Sequence, residues 1–371
     1  MMRRTLALFA LSLSLLLTAC GGAPAAPTAA PTAAATAAPT TAAATAAATD
    51  APTTAAATAA PTAAATGKPF KVAIVMPSAI SDLAWSQSMY DGLKAIQTEL
   101  GGESALVIAY SENMFNVTDA AAAIRDYASS GNDLVIAHGT QYGTSLFEVA
   151  KDFPDTAFAW GTATDAGTSA GLKNVFAYNA KAEQGGYVNG VIAALLSKSG
   201  KIGVIGPVEA GDAKTYIDGF EAGAKATKPD TIVSKIYTGS FGDTAKAAEA
   251  ANTQISSGTD VLTGSAQQVV GAIGVAKEKN IPWLGTQSDQ SSLAPSLVVA
   301  TQVYDWVGTL KDIIAKIKAG TKGGTAYDLT LANGGLKIAF NAGYADVTPA
   351  IKTAVEAAIK GISDGTIKAL P

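Results

Sequence analysis

The sequence predicts an α/β protein of two doubly wound lobes. Short apolar, β-branched runs alternate with amphipathic helical stretches, two such series follow one another without an obvious linker, and about 300 residues remain for folding once the N-terminal region is set aside. That length suits two lobes of ordinary size rather than one small domain.

The first series opens at Phe70. Residues 71–76, Lys-Val-Ala-Ile-Val-Met, form a run of the kind buried in parallel sheets. After a Pro-Ser loop, Trp85, Met89, Leu93, Ile96 and Leu100 recur at spacings of four and three, a helix stopped by Gly101-Gly102. The pattern then predicts a strand over 105–110, a helix over 119–129, a strand over 134–137, a helix over 144–151 and a strand over 157–160. After 174–178 a second series follows. It has helices over 183–197, 213–226, 244–256 and 268–279, and strands over 201–205, 231–237, 261–263, 283–285 and 298–300.

Ahead of these lobes lie two segments of another kind. Residues 1–20 have the form of an export signal, with Arg3 and Arg4 before an apolar core from Leu6 to Leu17. Leu17-Thr18-Ala19-Cys20 resembles a bacterial lipobox, in which the cysteine thiol carries diacylglycerol; the bland alternative is a stray cysteine in a discarded leader. Residues 21–67 are almost only Ala, Thr and Pro and read as a disordered tether. Such a segment averages roughly 40 Å as a coil and reaches about 140 Å as polyproline II, enough to hold a body near a bilayer. Two or three acyl chains would anchor it stably.

Composition excludes several classes. The net charge of −4 leaves no global basic face, so nucleic acid is not an expected partner. One cysteine and one histidine, His138, cannot build a Cys/His zinc site or an internal disulfide, and no metal or cofactor is expected. After residue 20 no stretch is long and apolar enough to span a membrane.

Ligands of such sheets bind beyond the carboxyl ends of the strands. The loops at those ends contain Asp82, Glu112, Asp165, Glu209, Asp212, Asp243 and Asp289, and neither Lys nor Arg. A buried anion needs cationic donors. Their absence favours a neutral or cationic ligand rich in hydrogen-bond donors, although helix N-termini could stand in for a cation. Trp85, Tyr142, Phe241 and Trp306 flank the same loops. Each could simply be core, but Phe241 sits in a Gly-Ser-Phe-Gly-Asp turn, where an aromatic is poorly placed for packing. Two aromatics on opposite lobes could sandwich a flat heterocycle. His138 ends an apolar strand near the expected cleft and reads as a hydrogen-bonded, partly buried side chain, with no Gly-x-Ser-x-Gly elbow beside it.

The segments 182–190 (Ala-Glu-Gln-Gly-Gly-Tyr-Val-Asn-Gly), 199–205 (Ser-Gly-Lys-Ile-Gly-Val-Ile) and 218–224 (Asp-Gly-Phe-Glu-Ala-Gly-Ala) stand in a specific order. With 237–243 (Tyr-Thr-Gly-Ser-Phe-Gly-Asp) and 285–290 (Gly-Thr-Gln-Ser-Asp-Gln), the chain resembles the basic membrane protein family of PnrA-like substrate-binding lipoproteins over residues 70–340. The resemblance implies a type I periplasmic-binding fold with three crossing segments, near 178–179, 301–302 and 329–335. It implies a first lobe of 68–179 plus about 303–330, and a second of 180–302 plus about 331–345, with residues 346–371 helical. It also implies uptake of purine nucleosides or related bases, ABC permease partners, a monomeric carrier and a lipid anchor to the outer face of the cell membrane.

Carried over residue by residue, the resemblance makes Asp82 and Trp85 the loop aspartate and aromatic after the first strand, and Phe241 the aromatic stacking from the other lobe. Asp289 and Gln287 occupy a loop where the family often has Asp-x-Asp, so Gln287 departs from the pattern. The family's lysine after the following strand is absent from 301–306, Thr-Gln-Val-Tyr-Asp-Trp, which looks closer to a nucleobase-binding branch. Gln141, Tyr142, Gln302 and Trp306 complete the expected contacts. A ligand sensor for a receptor kinase and a nucleoside-cleaving enzyme are the alternatives, the second needing a nucleophile and base that the sequence does not single out.

Overall fold

The computed structural model describes residues 67–370. The expected export signal, Cys20 and all of the tether but Gly67 therefore lie outside the described residues. In the first lobe β1 (Phe70–Val75), α1 (Trp85–Glu99), β2 (Leu106–Ser111), α2 (Val117–Ser129), β3 (Leu134–Ala137), α3 (Gly143–Asp152), β4 (Ala157–Gly161) and β5 (Val175–Ala180) alternate. The second lobe runs through α4 (Ala182–Leu196), β6 (Lys201–Gly206), α5 (Gly211–Thr227), β7 (Ile232–Tyr237), α6 (Thr244–Ser256), β8 (Val261–Gly264), α7 (Val269–Glu278), β9 (Trp283–Gln287) and β10 (Val298–Tyr304). The chain then returns for α8 (Val307–Lys318) and β11 (Ala326–Leu329), and crosses again for β12 (Leu336–Phe340) and α9 (Pro349–Ser363).

One six-stranded sheet has the order β11-β5-β4-β3-β1-β2, the other β12-β10-β9-β8-β6-β7. Every neighbour pair is parallel except β10 with β12. The central strands are buried throughout, as in β3 (Leu-Val-Ile-Ala) and β8 (Val-Leu-Thr-Gly), because helices cover both faces of each sheet. The chain crosses between the sheets three times: at Lys181, at Asp305-Trp306 and over 330–335. β10 continues to Tyr304 rather than ending at 300, since its antiparallel pairing with β12 extends from Ala300 to Tyr304. Alternation alone could not reveal β12, a partner drawn from much later in the chain. α8 packs on α1 in the first lobe, and α9 on α4 in the second.

In the segments 182–190 and 218–224, which carried part of the family resemblance, Gly186, Gly190, Gly219 and Gly223 face the backbone of the opposing helix. A Cβ on Gly190 would lie 2.1 Å from the carbonyl oxygen of Phe220, and one on Gly223 only 2.0 Å from that of Tyr187. Helices α4 and α5 thus touch backbone to backbone, and no side chain fits between them. Gly190→Ala is expected to lower stability by about 1–3 kcal/mol through forced separation of these helices; chemical denaturation of the variant measures it.

Candidate ligand cavity at the carboxyl ends of both sheets

A cavity of about 470 Å³ lies where the loops from the carboxyl ends of the two sheets meet. From the first lobe come Pro77 and Trp85 after β1, Phe115 and Val117 after β2, Gly139, Thr140 and Gln141 after β3, and Thr162 after β4. From the second come Val208, Ala210, Gly211, Asp212 and Ala213 after β6, Phe241 after β7, Ala266 and Gln267 after β8, and Gln287 at the end of β9. Neither Lys nor Arg lines it, and Asp212 is its single acidic residue. Side chains of one lobe already bond to the other here: Ser288 Oγ donates to the Ala84 carbonyl at 2.8 Å, and Gln290 Nε2 to that of Leu83 at 3.2 Å.

The loops around the cavity hold strained backbone. Leu83 (φ 52°), Asn113 (φ 59°), Thr162 (φ 60°), Ala266 (φ 70°) and Gln287 (φ 70°) are all left-handed, a conformation that costs non-glycine residues of order 1–3 kcal/mol each. The first four follow β1, β2, β4 and β8 and Gln287 ends β9, so the strain gathers where the strands open toward the cavity.

Trp85 is held in place from behind. Its indole Nε1 donates to the His138 carbonyl at 3.0 Å, and the His138 ring stacks on it with centroids 4.1 Å apart and planes within 4°. Reciprocally, His138 Nε2 lies 3.0 Å from the Trp85 carbonyl and Nδ1 2.7 Å from the Tyr178 hydroxyl. A carbonyl can only accept, so Nε2 carries the proton, and Tyr178 donates to Nδ1 of a neutral ring. Complete burial pushes the imidazole pKa down to about 3, against the weaker opposing pull of its bond to Trp85. Trp306 meets the indole edge-on at 5.7 Å, and Tyr304 does so at 6.1 Å.

Phe241 of the second lobe packs against Phe115 of the first at the cavity, centroids 6.3 Å apart and rings tilted by 49°. Asp212 stands in the first turn of α5 with its carboxylate partly open to the cavity but otherwise surrounded by protein. Tyr304 donates its hydroxyl to Asp212 Oδ2 at 3.1 Å, and Gln287 Nε2 approaches the same oxygen at 3.4 Å. Burial raises the pKa of this carboxyl, while the hydrogen bonds from Tyr304 and Gln287 work the other way.

Of the residues expected from sequence to contact ligand, Trp85, Gln141, Phe241 and Gln287 line the cavity. Five do not. Asp82 closes the first turn of α1, accepting from the amides of Ala84, Ser86 and Gln87 at 2.8, 3.0 and 3.1 Å, and from Ser78 Oγ. Tyr142 is buried in the first lobe's core and donates to the Met114 carbonyl at 2.8 Å. Gln302 is enclosed in β10, donating to the Ala182 carbonyl at 3.2 Å and leaving Oε1 unpaired. Trp306 backs Trp85 and donates to Ser88 Oγ at 3.0 Å. Asp289 is exposed and accepts from the Ser291 amide at 2.9 Å.

Phe115 and Tyr304 were missed. Asp212 was visible only as one of seven acidic residues in the loops. Phe115 stood within a loop already identified as facing the cleft, and its chemistry alone could have drawn attention. No local signal marks Tyr304, because its bond to Asp212 spans 92 positions.

Two α/β lobes that close their strand-end loops on one cavity define a solute-binding protein of the periplasmic-binding-protein fold. The chain belongs to the PnrA-like family of ABC transporter substrate-binding proteins, whose family model matches residues 70–364. It is 32% identical to a purine-binding protein of Brucella abortus, over 64% of this chain and 65% of that one. It is 31% identical to the ABC transporter nucleoside-binding protein BmpA of Lactococcus lactis, over 80% of this chain and 88% of that one. An ABC transporter solute-binding protein of Conexibacter woesei superposes with a TM-score of 0.69 at 25% identity, covering 81% of this chain and 98% of the other. Among the described residues no helix is long and apolar enough to cross a membrane, and no group of His, Cys, Asp and Glu is placed to hold a metal.

Two outcomes test the structural roles assigned here. Asp82→Ala should cost about 1–2 kcal/mol of stability by uncapping α1, read as a lowered denaturation midpoint. His138 is neutral when folded and protonates near pH 6.5 when unfolded, so its contribution is intact above that pH and is lost as pH falls toward 3. His138→Gln should flatten stability against pH across that window, whatever its effect at neutral pH.

Proposed function

We propose that the protein is the substrate-binding lipoprotein of an ABC uptake transporter and captures a purine base or nucleoside by closure of its two lobes. The observation that carries this reading is the cavity's make-up: aromatics from both lobes, Trp85 and Phe115 from the first and Phe241 from the second, and no cationic side chain in the lining. Flat heterocycles gain from stacking against such faces, and uncharged ones need no counter-ion. The purine- and nucleoside-binding relatives support the same ligand class.

The ligand enters between open lobes, meets Trp85, and is enclosed as the loop after β7 brings Phe241 over it. Contacts made only by the closed state favour that state. Hydrogen bonds of the kind seen between Ser288 and Ala84 would be made at closure, and the crossovers at Lys181, Asp305-Trp306 and 330–335 would serve as the hinge. Cys20 carries the lipid, residues 21–67 tether the monomeric body outside the cell membrane, and permease subunits receive the closed form. Against an enzymatic alternative, the single histidine lies wholly buried behind Trp85, out of reach of a bound molecule.

Isothermal titration calorimetry against a panel of purine bases, nucleosides and sugars tests the proposal. Binding confined to sugars, or release of free base from a nucleoside, would overturn it. Phe241→Ala should weaken the best ligand by about 1–3 kcal/mol, the range for base–aromatic stacking.

A further inference from the structure

Phe115 combines two properties that rarely coincide. It lines the cavity, and yet it is 53% exposed. A side chain with both properties stands at the opening, between the cavity and bulk water. There it packs against Phe241 of the other lobe, at a separation and tilt within the favourable range for aromatic pairs. The two rings meet directly, so the contact needs no bound molecule as a bridge. Parting them would bare further apolar surface to water, a cost that favours the joined state.

Each ring rides on a loop tied to its own lobe. On the first, Asn113 and Met114 donate their amides to the carbonyls of Ser78 and Met76 at 3.4 and 2.9 Å, and Tyr142 donates its hydroxyl to the Met114 carbonyl at 2.8 Å. On the second, the Phe241 carbonyl accepts from the Gln268 amide at 2.9 Å, and Ser240 Oγ accepts from the amides of Gly242 and Asp243 at 3.3 and 3.1 Å. Neither loop is free to follow the opposite lobe, so the rings must separate when the lobes do. We infer that Phe115 and Phe241 form an aromatic clasp across the opening, which holds the lobes together independently of ligand and sets how often the cavity opens. The inference rests on the lobe-closure reading given above and not on the identity of the ligand. Loosening such a clasp enlarges the open population, through which any molecule must enter and leave.

Thiol labelling of the full-length chain tests this without any ligand. Cys20 is the single cysteine of the sequence. In a Cys20→Ser background, Ala213→Cys places the one reactive thiol at a cavity-lining position that is 2% exposed. Reaction with a maleimide then reports opening. Phe115→Ala should speed labelling about three- to tenfold, the range for losing one aromatic pair. Phe241→Ala should do the same, and the double variant should label at about the rate of the faster single one, because either change breaks the same contact. Phe115→Tyr keeps the ring and should label as slowly as the unsubstituted clasp, which separates loss of the contact from general loosening. A rate unmoved by Phe115→Ala, single effects that multiply in the double variant, or equal acceleration by Phe115→Tyr would each overturn the clasp. If labelling behaves as expected while calorimetry detects no purine base or nucleoside, the ligand assignment falls and the clasp stands.

Discussion

The cavity depends on the clamp between Trp85 and His138. Each residue bonds through a ring nitrogen to the other's carbonyl, and their rings lie face to face, so the indole cannot rotate without breaking its buried hydrogen bond to His138 and losing the stack. A neutral imidazole is essential to it, because a charged ring at full burial would cost more than the stack returns. Behind the pair, Tyr178 lies near the end of β5, the strand before the first crossover, and Trp306 begins the chain's return to the first lobe; these two rings are 5.1 Å apart. One aromatic cluster therefore forms a wall of the cavity and the packing at two crossovers. A wall fixed in advance has little conformational entropy left to lose when a flat molecule lies on it.

The second lobe secures its geometry by different means. Helices α4 and α5 meet at glycines, which brings their backbones closer than any side chain would allow. Its contribution to the cavity comes from loops under strain: Ala266 and Gln287 take left-handed backbones that only surrounding contacts can sustain. The arrangement of Asp212 at the start of α5, Gln287 at the end of β9 and Tyr304 at the end of β10 exists only when β6, β9 and β10 are in register in the sheet.

Much of this was legible in the chain. The strand-and-helix alternation places β1 to β4 and β6 to β10 within a few residues, because buried parallel strands and amphipathic helices leave periods that differ. Trp85, Gln141, Phe241 and Gln287 were identifiable because loops after parallel strands face the ligand end of the sheet. Asp82 does not line the cavity, for a physical reason: an aspartate three residues ahead of a helix serves the amides of its first turn as readily as a ligand, and here three backbone N–H groups claim it. Tyr142 and Trp306 lie in the core rather than in the cavity lining, and an aromatic near a loop has the same local signature whether its ring turns to the cavity or to the core.

By itself, the sequence determined the α/β class, the succession of two lobes and a strand-end cleft without positive side chains, since periodicity and composition act locally. Tertiary structure alone decided which of the loop carboxylates faces the cavity, which aromatics are wall and which are support, and where β12 pairs. Those outcomes depend on contacts between residues far apart in the chain, such as Tyr304 with Asp212 and Trp85 with His138, and no local pattern records them.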